Sequence, residues 1–264
     1  MKQAKHQAPS PQRLNGGILP LITLLGSAAG VVLSRSLQGL KDADGLLPRD
    51  CGTYRTLWAL TLATLLALGV CARFVGNEGS LERNYPGKKR PGLGLLLAGA
   101  AAAASGVTGL LEAGDGLHKG ACVLGLGAGT GLLTWGIAWL RGREPRGLAV
   151  LLPGFWLAAS LVDRFRGWSQ DPQIADYCFR LLASVWAMLG AYYLAGFPLD
   201  QGRRRWSQFF AWSGLFLCAL GIAGSTGGER LQYAAVACWF LLGAPALNVP
   251  AARQTEFPEE PEEG

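Results

Sequence analysis

Arg180 has the strongest claim to chemistry in this chain. It is the seventh residue of a long apolar run, 174–195. Inside such a run an ionisable side chain marks an ion pair or a ligand site. Asp176 precedes it by four residues, so a helix places both on one face. Two arrangements are open. One is a local ion pair with the Arg180 head reaching back to water. The other is an outward-facing anion site made by Arg180 with Arg55, a second cation at the start of another apolar run, and with Asp176 beside it as a third candidate ligand-binding residue.

The other reactive residue types form weaker patterns. Glu112, Asp115 and His118 could hold a metal, but their spacing across Gly114 and Gly116 matches no ligand pattern. They read as a solvated turn. His118 is one of two histidines, the other being His6, which excludes a multi-histidine metal centre; no metal and no cofactor are expected. The six cysteines (51, 71, 122, 178, 218 and 238) contain no C-x-x-C, and most sit in apolar runs, where cysteine acts as a small hydrophobe. Cys51 and Cys178 could approach one face but are read as unpaired. No nucleophile has a visible base, so catalysis finds no support and an enzymatic role is left open. Gly125, Gly127, Gly129 and Gly131 lack both the G-x-G-x-x-G spacing and the strand–turn–helix setting of a phosphate loop. They are assigned to helix packing.

The elements that carry these residues follow from composition. Of 264 residues, half are hydrophobic and 16% are charged, against about 25% in an ordinary soluble domain. Mean hydropathy is +0.24. Such a chain is neither disordered nor a small disulfide scaffold. Eight apolar runs approach the roughly 20 residues a helix needs to cross a bilayer. They are Gly17–Arg35, Tyr54–Val75, Gly92–Leu111, Gly120–Leu140, Gly147–Val162, Ile174–Ala195, Trp206–Gly224 and Leu231–Asn248. The expected fold is all-α, a polytopic transmembrane helical bundle of about eight spans. β-barrel strands are shorter and alternate, and these runs do neither. The fifth run is the shortest and carries Pro153 near its middle. It reads as a short kinked span, with an interrupted helix beside a cavity as the alternative. The first run continues past Ser27-Ala28-Ala29 and so reads as a span, not a cleaved leader.

Sidedness comes from lysine and arginine in the loops. With eight spans, 15 of them fall on the side of the two termini and 8 on the other, with Arg180 inside a span. This places both termini in the cytoplasm, and the small share of chain left outside the apolar runs suggests a plasma (inner) membrane. Lys88-Lys89-Arg90 and Arg203-Arg204-Arg205 read as orientation anchors, shorter than lipid-recognition clusters. No fold or aromatic platform suggests nucleic acid. Residues 1–16 and the acidic, proline-rich 249–264 are expected to be disordered cytoplasmic segments around a bundle at 17–248.

Two four-span halves, 17–140 and 147–248, can be laid over each other. Leu19-Pro20 then meets Leu152-Pro153, and the two basic clusters align. Unequal spacing weighs against a duplication, which would relate the halves as parallel repeats. Small-xxx-small pairs at Gly125/Gly129 and Gly127/Gly131, opposite the Ala/Gly-rich 98–106, make the third and fourth helices the expected tightest pair. The leading functional reading is recognition or transport of a small solute or lipid within the bilayer. The alternative is a non-catalytic component that binds a protein partner, of unknown identity, through its helices or acidic tail.

Overall fold

The computed structural model describes residues 17–40, 51–75, 89–112, 114–143, 148–169, 174–199 and 201–244. The two expected disordered ends, 1–16 and 249–264, lie outside the described residues. Among the described residues there are eight α-helices and no strand. They are α1 (Leu19–Gln38), α2 (Gly52–Arg73), α3 (Lys89–Leu111), α4 (Gly116–Leu140), α5 (Leu152–Trp168), α6 (Ile174–Ala195), α7 (Arg204–Gly224) and α8 (Gly227–Gly243). Short 3-10 turns, Leu148–Leu151 and Phe197–Leu199, precede α5 and follow α6.

Each apolar run has become one helix, and the differences lie at the ends. Pro153, expected inside the fifth span, stands in the first turn of α5. A proline there gives up an N–H that has no intrahelical partner, so the helix starts at Leu152 with Pro153 in its first turn and is not kinked by it. α5 then runs on past Val162 to Trp168, and α8 begins four residues before Leu231. These extensions bring Asp163, Arg164, Glu229 and Arg230 into helices.

Six helices are long and apolar enough to cross a membrane: α1 to α4, α6 with its following turn, and α7. α5 and α8 have 17 residues each, or roughly 25 Å at 1.5 Å per residue, short of a hydrocarbon core about 30 Å thick. These two carry the charged ends.

The helices run up and down. Gln38 at the end of α1 donates to the Ala223 carbonyl at the end of α7 (2.7 Å), and Tyr54 at the start of α2 lies 3.5 Å from Cys178 at the start of α6. At the opposite end Gln208, at the start of α7, donates to the Ala244 carbonyl just beyond α8 (2.8 Å). Helices α3 to α8 form a closed ring in which each packs on its chain neighbour and α8 returns to α3. α1 and α2 pack on each other and against α7. The contacts therefore run across the 140/147 boundary between the two expected halves.

Leucines, valines and phenylalanines stand exposed on the outside. Leu25, Val32, Leu66 and Phe155 are each more than 60% exposed, as suits a lipid-facing surface. Inside are small and hydroxylated side chains, such as Ala98, Ala128, Thr61 and Ser213. α7 is buried almost all round from Ala211 to Leu217.

α3 and α4 form the most extensive pair, built on glycine at seven-residue spacing. Gly92 meets Gly136, Gly99 meets Gly129, and Gly106 meets the Cys122 carbonyl. A Cβ on Gly129 would stand 2.7 Å from the Ala103 amide nitrogen. The four expected packing glycines split, because residues two apart on a helix do not share a face. Gly129 lies against α3, Gly125 lies under the Trp156 indole of α5, Gly131 is buried, and Gly127 has open space beside it.

Gly129→Ala should therefore part α3 from α4 and lower stability by about 1–3 kcal/mol, the usual penalty for overpacking. Gly127→Ala should stay within about 0.5 kcal/mol of the parent. Unfolding in detergent micelles, followed by circular dichroism, compares the two.

Candidate functional site

Six helix ends meet at one end of the ring, and the polar side chains they carry are linked. Asp115 caps α4, its carboxylate accepting the His118 amide (3.0 Å) and Arg166 Nη1 (3.0 Å). The capping amide first, and Arg166 after it, hold this exposed carboxyl below the usual carboxylate range. The cap turns His118 inward. Its Nδ1 is 2.8 Å from Asp163 Oδ2 on α5, and its Nε2 is 3.1 Å from the Gly109 carbonyl at the end of α3. A Cβ on Gly114 would stand 2.3 Å from the His118 ring, so the ring takes this position only beside glycine.

Cys122 Sγ lies 3.7 Å from the same Nε2. Cys122, His118 and Asp163 thus stand in the order of a nucleophile, a base and the group that orients it. The hydrogen bonds favour a different state. A carboxylate and a carbonyl both only accept, so the ring fills both bonds only as an imidazolium with two N–H donors. In that state it has no lone pair to take the thiol proton.

The second group centres on Glu229, in the first turn of α8. Arg180 Nη1 from α6 is 3.2 Å from Oε2, and Arg164 Nη1 from α5 is 3.6 Å from Oε1. Tyr233 Oη is 3.0 Å from Oε1 and 3.0 Å from Ser184 Oγ. Arg164 also donates to Gln232 Oε1 and lies over the Tyr233 ring, 5.5 Å from its centroid. Arg180 lies 5.3 Å from the centroid of Trp168, which stacks on Tyr177. Both guanidinium groups thus gain an aromatic face as well as a counter-charge.

Between the two groups lies a cavity of about 330 Å³, at the lower end of the range for small-ligand pockets. His118, Cys122, Asp163, Arg164, Glu229 and Glu112 all reach it. Glu112 Oε1 is 3.3 Å from the Gly228 amide, and a Cβ on Gly227 (φ +53°) would meet the same oxygen at 2.5 Å. The α7–α8 turn therefore requires glycine twice at position 227: for its backbone angle and for the approach of Glu112. Arg164 Nη1 is buried and has no hydrogen-bond partner among the described residues. Its contact with Glu229 is longer than a hydrogen bond. No three histidine, cysteine or acidic side chains among the described residues are grouped as a metal requires.

Of the residues singled out from sequence, Arg180 belongs to this network but stands behind Glu229 and does not line the cavity. Arg55 is exposed on α2 and is not part of the lining. Asp176 falls in the first turn of α6, and its side chain lies outside the described residues. Asp163, Arg164 and Glu229 were missed because the apolar runs were ended at Val162 and restarted at Leu231, whereas Glu112 and His118, weighed from sequence only as metal ligands, do line the cavity. Asp163-Arg164 and Glu229-Arg230 thereby became loop residues. The available signal was an acid–arginine doublet abutting each of the two short runs. His118, read as part of a solvated turn, points inward, while its neighbour Asp115 is the solvated member. No disulfide joins Cys51 and Cys178. No family model, curated protein or solved structure matches the chain.

Asp163→Asn removes the charge that faces His118 and should lower unfolding free energy by about 1–3 kcal/mol, typical of a hydrogen bond to a charged partner. Asp115→Asn keeps a capping oxygen and should leave the thermal midpoint unchanged. Parallel melts in micelles test the pair.

Proposed function

We propose that this chain is an eight-span protein of the plasma (inner) membrane with both termini cytoplasmic. Its charged cavity opens on the opposite face and recognises a small polar solute that carries an oxyanion. The observation that carries this reading is the buried, unfilled donor of Arg164 beside a cavity of small-ligand size. An incoming carboxylate or phosphate oxygen would complete it. The Glu112 carboxylate, which reaches the same cavity, gives a complementary place for a cationic end of the solute.

Orientation is supported by the 15-to-8 division of basic residues. The division sharpens once Arg164, counted with the loops, is seen to be occupied inside the bundle. The short α5 and α8 are compatible with crossing, because Asp163, Arg164 and Glu229 face a cavity and one another. Up-and-down alternation through eight helices supports an even span count. At the opposite end the ring is packed where α4, α7 and α8 meet: Trp135 meets Trp139 and Trp239 edge to face, and Gln208 holds both Trp212 and the end of α8. This supports recognition from one side.

Cys122 offers a direct test. In a variant keeping it as the sole cysteine, a membrane-impermeant methanethiosulfonate added to right-side-out vesicles should label it. Phosphate, succinate or glycine should slow labelling, and Arg164→Gln should abolish that protection. Labelling only after permeabilisation would overturn the orientation. Labelling that no anion slows would overturn the recognition.

A further inference from the structure

At the bundle end away from the charged cavity, the outer faces of α5 and α6 leave an apolar groove of about 390 Å³. Gly154 and Ala158 form its floor on the α5 side, and Phe155, Met188, Leu189 and Tyr192 form its walls. A Cβ on Gly154 would meet nothing within 4 Å, and Phe155 and Tyr192 are 61% and 65% exposed. The groove is thus open and faces outward, among the side chains that would meet lipid. From Ala158 to Leu151 it follows roughly 10 Å of helix.

The groove does not end blindly. Leu151, Tyr192 and Ala195 also line a second recess, of about 520 Å³. That recess passes from apolar to polar, through Tyr193 and Gln201 to Arg203. Arg203 is exposed, and it is the N-cap residue of α7, where no side chain caps the helix. The recess therefore collects positive charge from a guanidinium and from the start of a helix dipole. Arg204 and Arg205 continue the basic run.

We propose that the groove and recess together bind one anionic phospholipid, an acyl chain along α5 and α6 and the phosphate at Arg203. The order of chemistry along the site is that of the lipid: hydrocarbon, then an interfacial tyrosine level, then positive charge at the bundle end. A water-soluble anion would use the recess but gain nothing from the groove. A zwitterionic lipid would fill the groove but present no net charge to Arg203. Arg203-Arg204-Arg205, read from sequence as an orientation anchor, thereby gains a binding role for its first member. The proposal rests on the bundle lying in a membrane and is independent of the solute cavity at the other end.

Native mass spectrometry of the full chain, released from nanodiscs of equal phosphatidylglycerol and phosphatidylcholine, tests it. The parent should retain phosphatidylglycerol in preference. Arg203→Gln should reduce that preference about fivefold, the usual worth of one arginine at a membrane surface. Gly154→Leu, which fills open space, should reduce retention of both lipids. Added glycerol phosphate should displace neither. Equal retention of the two lipids by the parent, an unchanged preference in Arg203→Gln, or displacement by glycerol phosphate would each overturn the proposal. Labelling of Cys122 should be the same in all three proteins, so the two sites are judged separately.

Discussion

One carboxylate shared by two guanidinium groups sets the terms for the rest of this bundle. Glu229 is reached by Arg180 from α6 and by Arg164 from α5, and its own helix supplies Tyr233 as a further donor. Arg164 and Glu229 side chains are each only 17% exposed. Charges withdrawn this far from water persist only if each finds its partner. The three helices must therefore end at one depth and in one rotation. α5 and α8, the two helices too short and too charged to qualify as spans by themselves, belong in the bundle because each completes the other's charge.

The same requirement explains where glycine appears. A polar cluster fixes helix ends, while the lengths between them need close backbone contact, since lipid supplies no hydrophobic drive to bring helices together. α3 meets it through Gly92, Gly99 and Gly106 at intervals of seven. That period holds one face of a helix against its neighbour over several turns. Gly109 and Gly114 serve a different end: a Cβ on either would fall within 4 Å of the His118 ring. They clear the space in which His118 meets Asp163. Packing glycines and site glycines are thus interleaved within one helical hairpin.

Much of the architecture was legible in the sequence. Continuous apolar runs located all eight helices, because such a run has few alternatives to helix. The tight α3–α4 pair followed from small residues at spacings that share a face. The site was less legible, for a physical reason. Hydropathy ends a helix where charge begins, yet a charge that is paired inside a bundle lets the helix continue. Asp163 and Glu229 sit at that boundary. Arg180 could be found because apolar residues flank it on both sides, but its partner could not. Asp176 was the nearer acid in sequence, whereas Glu229 arrives through the return of α8. The inward turn of His118 depends on the Asp115 cap and on contacts to two other helices, which no local spacing reveals.

The strength of the Arg180–Glu229 interaction is the quantity to measure. Unfolding free energies in micelles would be compared for the parent, Arg180→Gln, Glu229→Gln and the double variant. Loss of Glu229 alone leaves two half-buried guanidinium groups without this counter-charge and should cost about 2–3 kcal/mol. The double variant should be more stable than the two single losses added together, by a coupling of about 1–3 kcal/mol. Additive losses, within about 0.5 kcal/mol, would mean that the two side chains do not hold the helix ends together, and would contradict the organisation described above.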